Sequence, residues 1–463
     1  MASTAVIDDR PRTQDPSFVL TGPRPATTTP PARAPQATRP LSPAPTTAAP
    51  TRGQAFIRAL AGPLLIAVVL QNIGNLVLHA ILGRQLTADQ YGALGTVLSL
   101  MVMLTVPLSA LQAAASKSAS AGPAVGRTQS RSIRSITRVS ILAAVPVALA
   151  APVLVSTFHL PSMLDALLLA PFVGISIALA VVRGRLLGLD QRTGIRAVAV
   201  TFVLSTVVRV GLSLALLRFM GTSAAIVATL VGEALALAYG MRALPAATAA
   251  SVHPRGDNPW LRWGDVGWSG LAIGGLFLFT TIDLFMARHF LPGDASGAYV
   301  AAATIGKTLL ALPAAAMAAA YPRLVAAGRT RARVVEVRRT GIVVVGLALV
   351  ATAVVAAVPN LVLHGLYGGA FEGYASLVRL LAIVAGTSSI VSVTTFSLLA
   401  VGSRLSLLPW VGAVMELVVI GLWHGSPVQV GLASAAALVV TVVICVTALL
   451  FDLPTRARGV HAA

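Results

Sequence analysis

The sequence predicts an all-α membrane protein of about twelve transmembrane helices, arranged as two parallel-repeat lobes of six helices around a central cavity. Composition, twelve long apolar runs and an internal repeat lead to that fold class. Of 463 residues, 56% are hydrophobic and only 11% charged, and mean hydropathy is +0.84, far from the soluble norm.

Crossing roughly 30 Å of hydrocarbon takes about 20 mostly apolar helical residues. Runs of that length, bounded by charge, Gly or Pro, fall at 59–82, 91–115, 139–158, 166–182, 197–217, 222–241, 266–287, 297–321, 341–363, 376–401, 405–423 and 428–451. Ahead of them, residues 1–52 hold 11 of the 28 prolines, are rich in Thr and Ala, and contain no apolar run, so a disordered tail is expected there. The first six runs make an N-lobe over 53–243, residues 244–265 a linker, the last six runs a C-lobe over 266–451, and 452–463 a C-terminal tail. The outer connections are short, the cytoplasmic ones (117–138, 183–196, 242–265 and 323–339) are basic and modest, and no soluble catalytic domain fits anywhere.

The net charge of +19 invites a nucleic-acid reading, so the placement of the charges decides. With the N-terminus inside, cytoplasmic segments hold 28 of the 34 Lys and Arg; three more lie in outer loops (Arg84, Arg218, Arg288) and three within spans. The 15 acids divide as eight inside, four outside and three within spans. This is the positive-inside pattern, and it accounts for the basicity without nucleic acid. Both termini are therefore expected in the cytoplasm. The lone cysteine, Cys445, lies in the last run and reads as a small buried hydrophobe.

A shift of 208 places Asn75-Leu76 on Asp283-Leu284, Tyr91 on Tyr299 and Thr96 on Thr304, with Pro107 landing two residues from Pro313. A shift of 212 places Leu186–Arg192 on Leu398–Arg404. Because six is even, both copies enter the membrane from the same side, so the repeat axis runs along the membrane normal. Parallel repeats of this kind rock against each other around a central site.

Four segments carry a family resemblance: Gly83-Arg84-Gln85-Leu86-Thr87-Ala88-Asp89-Gln90-Tyr91-Gly92, Ser116-Lys117, Arg185-Leu186-Leu187-Gly188-Leu189-Asp190-Gln191-Arg192, and the stretch from Asp283 to Pro322. Over roughly residues 58–450 the chain resembles the Wzx-type polysaccharide exporters of the MATE-like flippase superfamily. The resemblance implies a two-lobed, twelve-helix protein of the bacterial inner membrane that moves a polyprenyl-linked oligosaccharide across it. It further implies a lipid-linked glycan and membrane lipids as partners, with a polysaccharide polymerase or glycosyltransferases nearby. MurJ-type lipid II flippases are relatives that typically carry fourteen helices, so twelve runs favour the Wzx branch. A cation-coupled multidrug antiporter of the same fold is the alternative, and a membrane-embedded envelope enzyme a third. No P-loop and no metal-ligand cluster among the seven His occurs in the sequence, so no enzymatic activity and no cofactor are expected.

Charged side chains inside a span cost at least about 2.5 kcal/mol each and are functional candidates by default. Six occur: Arg209, Glu233, Asp283, Lys307, Arg379 and Glu416. For a lipid-linked phosphate, Arg209, Lys307 and Arg379 are the natural donors. The competing reading pairs each with an acid: Lys307 with Asp283, whose depths differ by only about 8 Å, and Arg209 with Glu233 on the next span. Arg379 lies near the outer surface and is placed to snorkel toward headgroups. Glu233 and Glu416 have no neighbouring cation in sequence and are ion-coupling candidates, or else hydrogen-bonded structural acids. Asn75, aligned with Asp283 by the repeat, is expected to line the cavity from the other lobe. Pro107 and Pro313 occupy near-equivalent places and are hinge candidates, or inherited kinks.

Overall fold

A computed structural model of the chain describes residues 52–120, 127–189, 193–250, 263–309 and 311–453. The tail expected over 1–52, most of the linker over 244–265, the tail over 452–463 and the motif residues Asp190, Gln191 and Arg192 lie almost wholly outside these segments. The described residues are helical, with no strand among them.

The N-terminal half comprises α1 (Arg52–Gln85), α2 (Ala88–Thr105), α3 (Leu108–Ser120), α4 (Arg127–Leu149), α5 (Ala151–Phe158), α6 (Met163–Leu167), α7 (Leu169–Leu189), α8 (Thr193–Met220) and α9 (Ser223–Ala250). The C-terminal half comprises α10 (Trp263–Phe279), α11 (Ile282–Phe290), α12 (Gly293–Leu309), α13 (Ala311–Ala327), α14 (Arg331–Ala357), α15 (Pro359–Tyr367), α16 (Ala375–Leu399), α17 (Leu408–Leu422) and α18 (Pro427–Asp452). Nine stretches among the described residues are long and apolar enough to cross a membrane. Three bent pairs raise the number to twelve: α4 with α5 at 46°, α10 with α11 at 45°, and α12 with α13 at 41°.

The helix ends shorten the expected cytoplasmic loops: α3 runs to Ser120 and α4 begins at Arg127 inside 117–138, and α9 runs to Ala250 inside 242–265. A loop was expected over 183–196, yet α7 runs to Leu189 and α8 begins at Thr193, so Arg183 and Arg185 are helical. Likewise α14 starts at Arg331, inside the expected 323–339 loop, and buried Arg333 holds it to the end of α18 through Asp452 at 2.8 Å and to the end of α16 through the Ser397 carbonyl at 3.0 Å.

Two helix breaks, one between α2 and α3 and one between α12 and α13, stand beside a proline. Proline lacks an N–H and its ring clashes with the carbonyl four residues earlier. Pro107 follows the end of α2 at Thr105, and Pro313 stands four residues after Leu309, where α12 ends. The start of α2 is a capping box: the Thr87 hydroxyl accepts from the Gln90 N–H at 3.3 Å, and the Gln90 side chain accepts from the Thr87 N–H at 3.2 Å.

Polarity is inverted relative to a water-soluble protein. Large apolar side chains such as Leu142, Val350, Val354, Val418 and Val443 face outward, whereas Asp283, Glu416 and many Ser and Thr hydroxyls are buried. Hydrocarbon surroundings demand that arrangement, because polar groups find partners only inside the bundle.

Within the first half, α7 packs on α3, α4, α8 and α9, and α8 on α1 and α9; within the second, α16 packs on α12, α14 and α18, and α17 on α10 and α18. The halves meet chiefly where α2 faces α12, the two helices that the 208-residue shift superposes. Glycines let these backbones touch: a Cβ on Gly297 would lie 2.0 Å from the Ala88 carbonyl oxygen, and one on Gly92 3.0 Å from the Gly297 Cα. Overpacking such a contact costs about 1–3 kcal/mol. Gly297→Val is therefore expected to lower the unfolding midpoint of the detergent-solubilised protein, while Gly267→Ala, whose Cβ meets nothing within 4 Å, leaves it unchanged. Equal midpoints for both variants would remove the α2–α12 contact as a determinant of stability.

Candidate functional site

A cavity of about 570 Å³ lies between the halves, lined from α1, α2, α3, α7, α8 and α9 on one side and from α10, α12 and Thr281 on the other. Its charged lining residues are Arg183, Arg209 and Lys307 against a single acid, Glu233. Asn72, Asn75, His79 and Thr304 add neutral polar groups.

Each arginine is held from one side only. Arg209 on α8 donates to the Asn75 side chain on α1, and its Nε is buried without a hydrogen-bond partner. Arg183 on α7 donates from Nε to Thr201 at 2.9 Å and lies 4.1 Å over the Phe202 ring, with one terminal nitrogen unpartnered. Glu233 accepts from Ser205 at 2.8 Å. The expected alternative, an Arg209–Glu233 ion pair, is not among the contacts formed: each has its own neutral partner. His79 shares a hydrogen bond of 3.0 Å with the Tyr91 hydroxyl.

A second, smaller space of about 40 Å³ in the C-terminal half is lined by Asp283, Lys307 and Glu416 together with Thr280, Ser388 and Ser434. The Tyr299 hydroxyl donates to Asp283 Oδ2 at 2.9 Å, and the Ser434 hydroxyl donates to Glu416. Asp283 Oδ1 and Lys307 Nζ are buried without hydrogen-bond partners, so the two share a pocket without forming the direct pair that their depths suggested.

The remaining candidates lie elsewhere. Arg379 is exposed, donates to the Ala356 carbonyl at 3.1 Å and lines neither space. Leu108 and Val106, beside Pro107, line the central cavity, whereas Pro313 is buried at the start of the bent α13 segment.

Sequence reasoning missed two cavity residues, Arg183 and His79, and the seal across one end of the molecule. There Arg288, 3% exposed at the end of α11, reaches from the second half to the first. It pairs with Asp89 at 2.7 Å and donates to the carbonyls of Phe158 and His159, each at 2.9 Å, and to Ser296 at 2.9 Å. Arg84, ending α1, reaches the opposite way to the Gly365 and Leu366 carbonyls of α15. The helices α5 and α15 start at 151 and 359, a difference of 208, so they are repeat equivalents. Each half thus sends one arginine to the last-turn carbonyls of the same helix in the other half, where a cation meets the negative end of the helix dipole. Tyr91 and Tyr367 add a hydroxyl contact of 3.1 Å between halves. The cavity lining begins beyond this seal, at His79 on α1, Leu98 on α2 and Thr304 on α12.

No family model and no curated protein matches the chain. Solved structures do match it in fold. A MATE protein in complex with MaL6 has a TM-score of 0.60 at 17% identity, covering 86% of this chain and 95% of that one. The MATE multidrug transporter DinF-BH gives 0.61 at 15% identity, with 86% and 95% covered. The lipid II flippase MurJ in an inward closed conformation gives 0.61 at 10% identity, with 85% and 89% covered. The chain has the fold shared by MATE proteins and MurJ. Between flippase and drug exporter that likeness does not choose.

The seal makes a measurable difference. With Cys445 replaced and spin labels at exposed Gln85 and Glu372, the parent protein is expected to give one short interlabel distance. Arg84→Ala combined with Arg288→Ala should add a longer component. An unchanged distribution would show that the two arginines do not hold the halves together.

Proposed function

We propose that this chain is a transporter that moves a polyprenyl-(pyro)phosphate-linked oligosaccharide across the bacterial inner membrane by alternating access, in the manner of the Wzx-type polysaccharide exporters. The observation that carries the reading is the charge of the central cavity: three cations face one acid, and each cation keeps donor capacity free. A phosphate group between Arg183, Arg209 and Lys307 would supply the missing acceptors, and guanidinium groups suit its oxygens in geometry and charge. The lipid tail stays in the bilayer while the glycan passes between the lobes.

Domain and membrane placement follow from the same reading. The lobes span 53–243 and 266–451, both termini are cytoplasmic, and the arginine seal closes the outer face. Opening that face while the opposite ends of the lobes come together would complete an alternating-access cycle, with the breaks near Pro107 and Pro313 absorbing the motion. Asn75 orients Arg209, Glu233 and Glu416 are ion-coupling groups, and a polymerase or glycosyltransferases act on the product outside.

The alternative is a cation-coupled drug antiporter, and multidrug MATE transporters are among the fold neighbours. A carrier of organic cations is expected to offer acids without compensating Arg and Lys, and this cavity offers the reverse.

Arg209 is the decisive residue, being an intramembrane cation that a Leu would replace at lower cost if packing were its only role. Arg209→Ala is expected to abolish glycan export at normal protein abundance, and Arg209→Lys to restore part of it by keeping charge without the bidentate fork. A double Arg209→Ala, Glu233→Ala variant that exports normally would contradict the headgroup role. Reporter fusions after Gly256 and Ala295 should read inside and outside respectively.

A further inference from the structure

Lys307 belongs to two sites at once. It lines the central cavity with Arg209 and Glu233, and it lines the small pocket with Asp283 and Glu416. The pocket's 40 Å³ leaves room for a few waters at most. Its ionisable side chains are two carboxyls and one amine. One buried carboxylate oxygen, Asp283 Oδ1, and the buried amine Nζ lack hydrogen-bond partners, while Tyr299 and Ser434 hold the other edges of the carboxyl pair.

A low-dielectric pocket holds net charge only at high cost. Two carboxylates and one ammonium would leave one negative charge, so neutrality requires that one carboxyl keep a proton while the other faces Lys307. If the ammonium turns away, two carboxyls remain with that single proton between them. One more proton from water then restores neutrality, and no other bond is made or broken.

The ionisable groups that face Lys307 fit this exchange. Among the elements packed on α12, α11 supplies Asp283 and α1 supplies His79, whose ring is bonded to Tyr91 of α2; Glu416 is reached across the pocket, and Arg209 and Glu233 across the cavity. Helices α16 and α18 present Ser388 and Ser434 at this level. The charges of α13 and α14 stand away from it, at Arg323 and over 331–339. With the cavity empty, Arg209 repels the ammonium toward the carboxyls. An anion between Arg209 and Lys307 reverses that bias.

We infer that Lys307 is a cation shared between the carboxyl pair and the substrate: it faces Asp283 and Glu416 when the cavity is empty, and turns to the phosphate of an anionic lipid-linked substrate when one is bound, the carboxyl pair taking up one proton. This rests on the reading of the cavity as a phosphate site and adds to it a linkage between substrate and protons. Lys307 is then both a binding residue and the mechanical connection between the two sites.

The test is binding of a short-chain prenyl diphosphate sugar, whose diester phosphates do not titrate near neutral pH, to the full-length protein in lipid nanodiscs. In a choline buffer, Kd should fall about tenfold for each unit of pH lowered between about pH 8 and pH 6, with about one proton taken up per ligand bound. Asp283→Asn combined with Glu416→Gln should bind with no pH dependence and no proton uptake. Lys307→Met should bind more weakly and equally flatly. The proton count on the wild-type protein decides the matter even where a variant fails to fold. A pH-independent wild-type Kd, with binding still abolished by Arg209→Ala, would overturn the shared-cation role and leave the phosphate site standing. Tightening by sodium in place of choline without proton uptake would overturn it in favour of a metal-cation site. No binding by the wild type at any pH would remove the inference together with the reading beneath it.

Discussion

The cost of placing charge in hydrocarbon governs this structure. A charged side chain in a span must face water, a partner or a cavity, and a packed helical bundle offers few such places. Arg183, Arg209, Lys307 and Glu233 are gathered at the central cavity, and Asp283 and Glu416 at the pocket beside it. The helices around them are apolar outward and hydroxyl-rich inward, so the interior of the bundle is where those charges are tolerated. The position of the cavity, its sign and the chemistry proposed for it all descend from that constraint.

The repeat turns one sequence unit into an interface. Because α2 and α12 are equivalent and face each other, glycine contacts at their crossing serve both halves at once. The arginine contacts follow the same logic without identical positions. Shifted back by 208, Arg288 falls four residues before Arg84, about one helical turn, yet both reach the C-terminus of the equivalent short helix across the interface. A seal built from helix-terminal carbonyls and two cations has few parts to break, which suits the opening and closing proposed for that face.

Most of the fold was legible in the sequence because span length and loop charge are set by the bilayer and need no tertiary information. The misplaced end of α7 shows the limit of that signal. Arg183 and Arg185 read as loop charges, whereas both lie on α7, and Arg183 lines the central cavity with its guanidinium over Phe202. His79 was missed because an uncharged imidazole leaves no mark on hydropathy. The six intramembrane charges were identifiable by cost alone, but their partners were not. Glu416 had no cation near it in sequence and shares a pocket with Lys307, 109 positions earlier by their numbers. Arg84 and Arg288 were visible only as scattered outer-loop charges, because their partners stand 281 and 130 residues away along the chain.

The central claim is that the cavity selects an anionic lipid-linked glycan over an organic cation. Reconstituting the purified protein into liposomes and following a fluorescent prenyl diphosphate sugar and a rhodamine cation side by side tests it most directly. The account predicts that the anionic lipid crosses the bilayer at a protein-dependent rate and the cation does not. Protein-dependent transport of the cation, with the lipid left in its original leaflet, would contradict it.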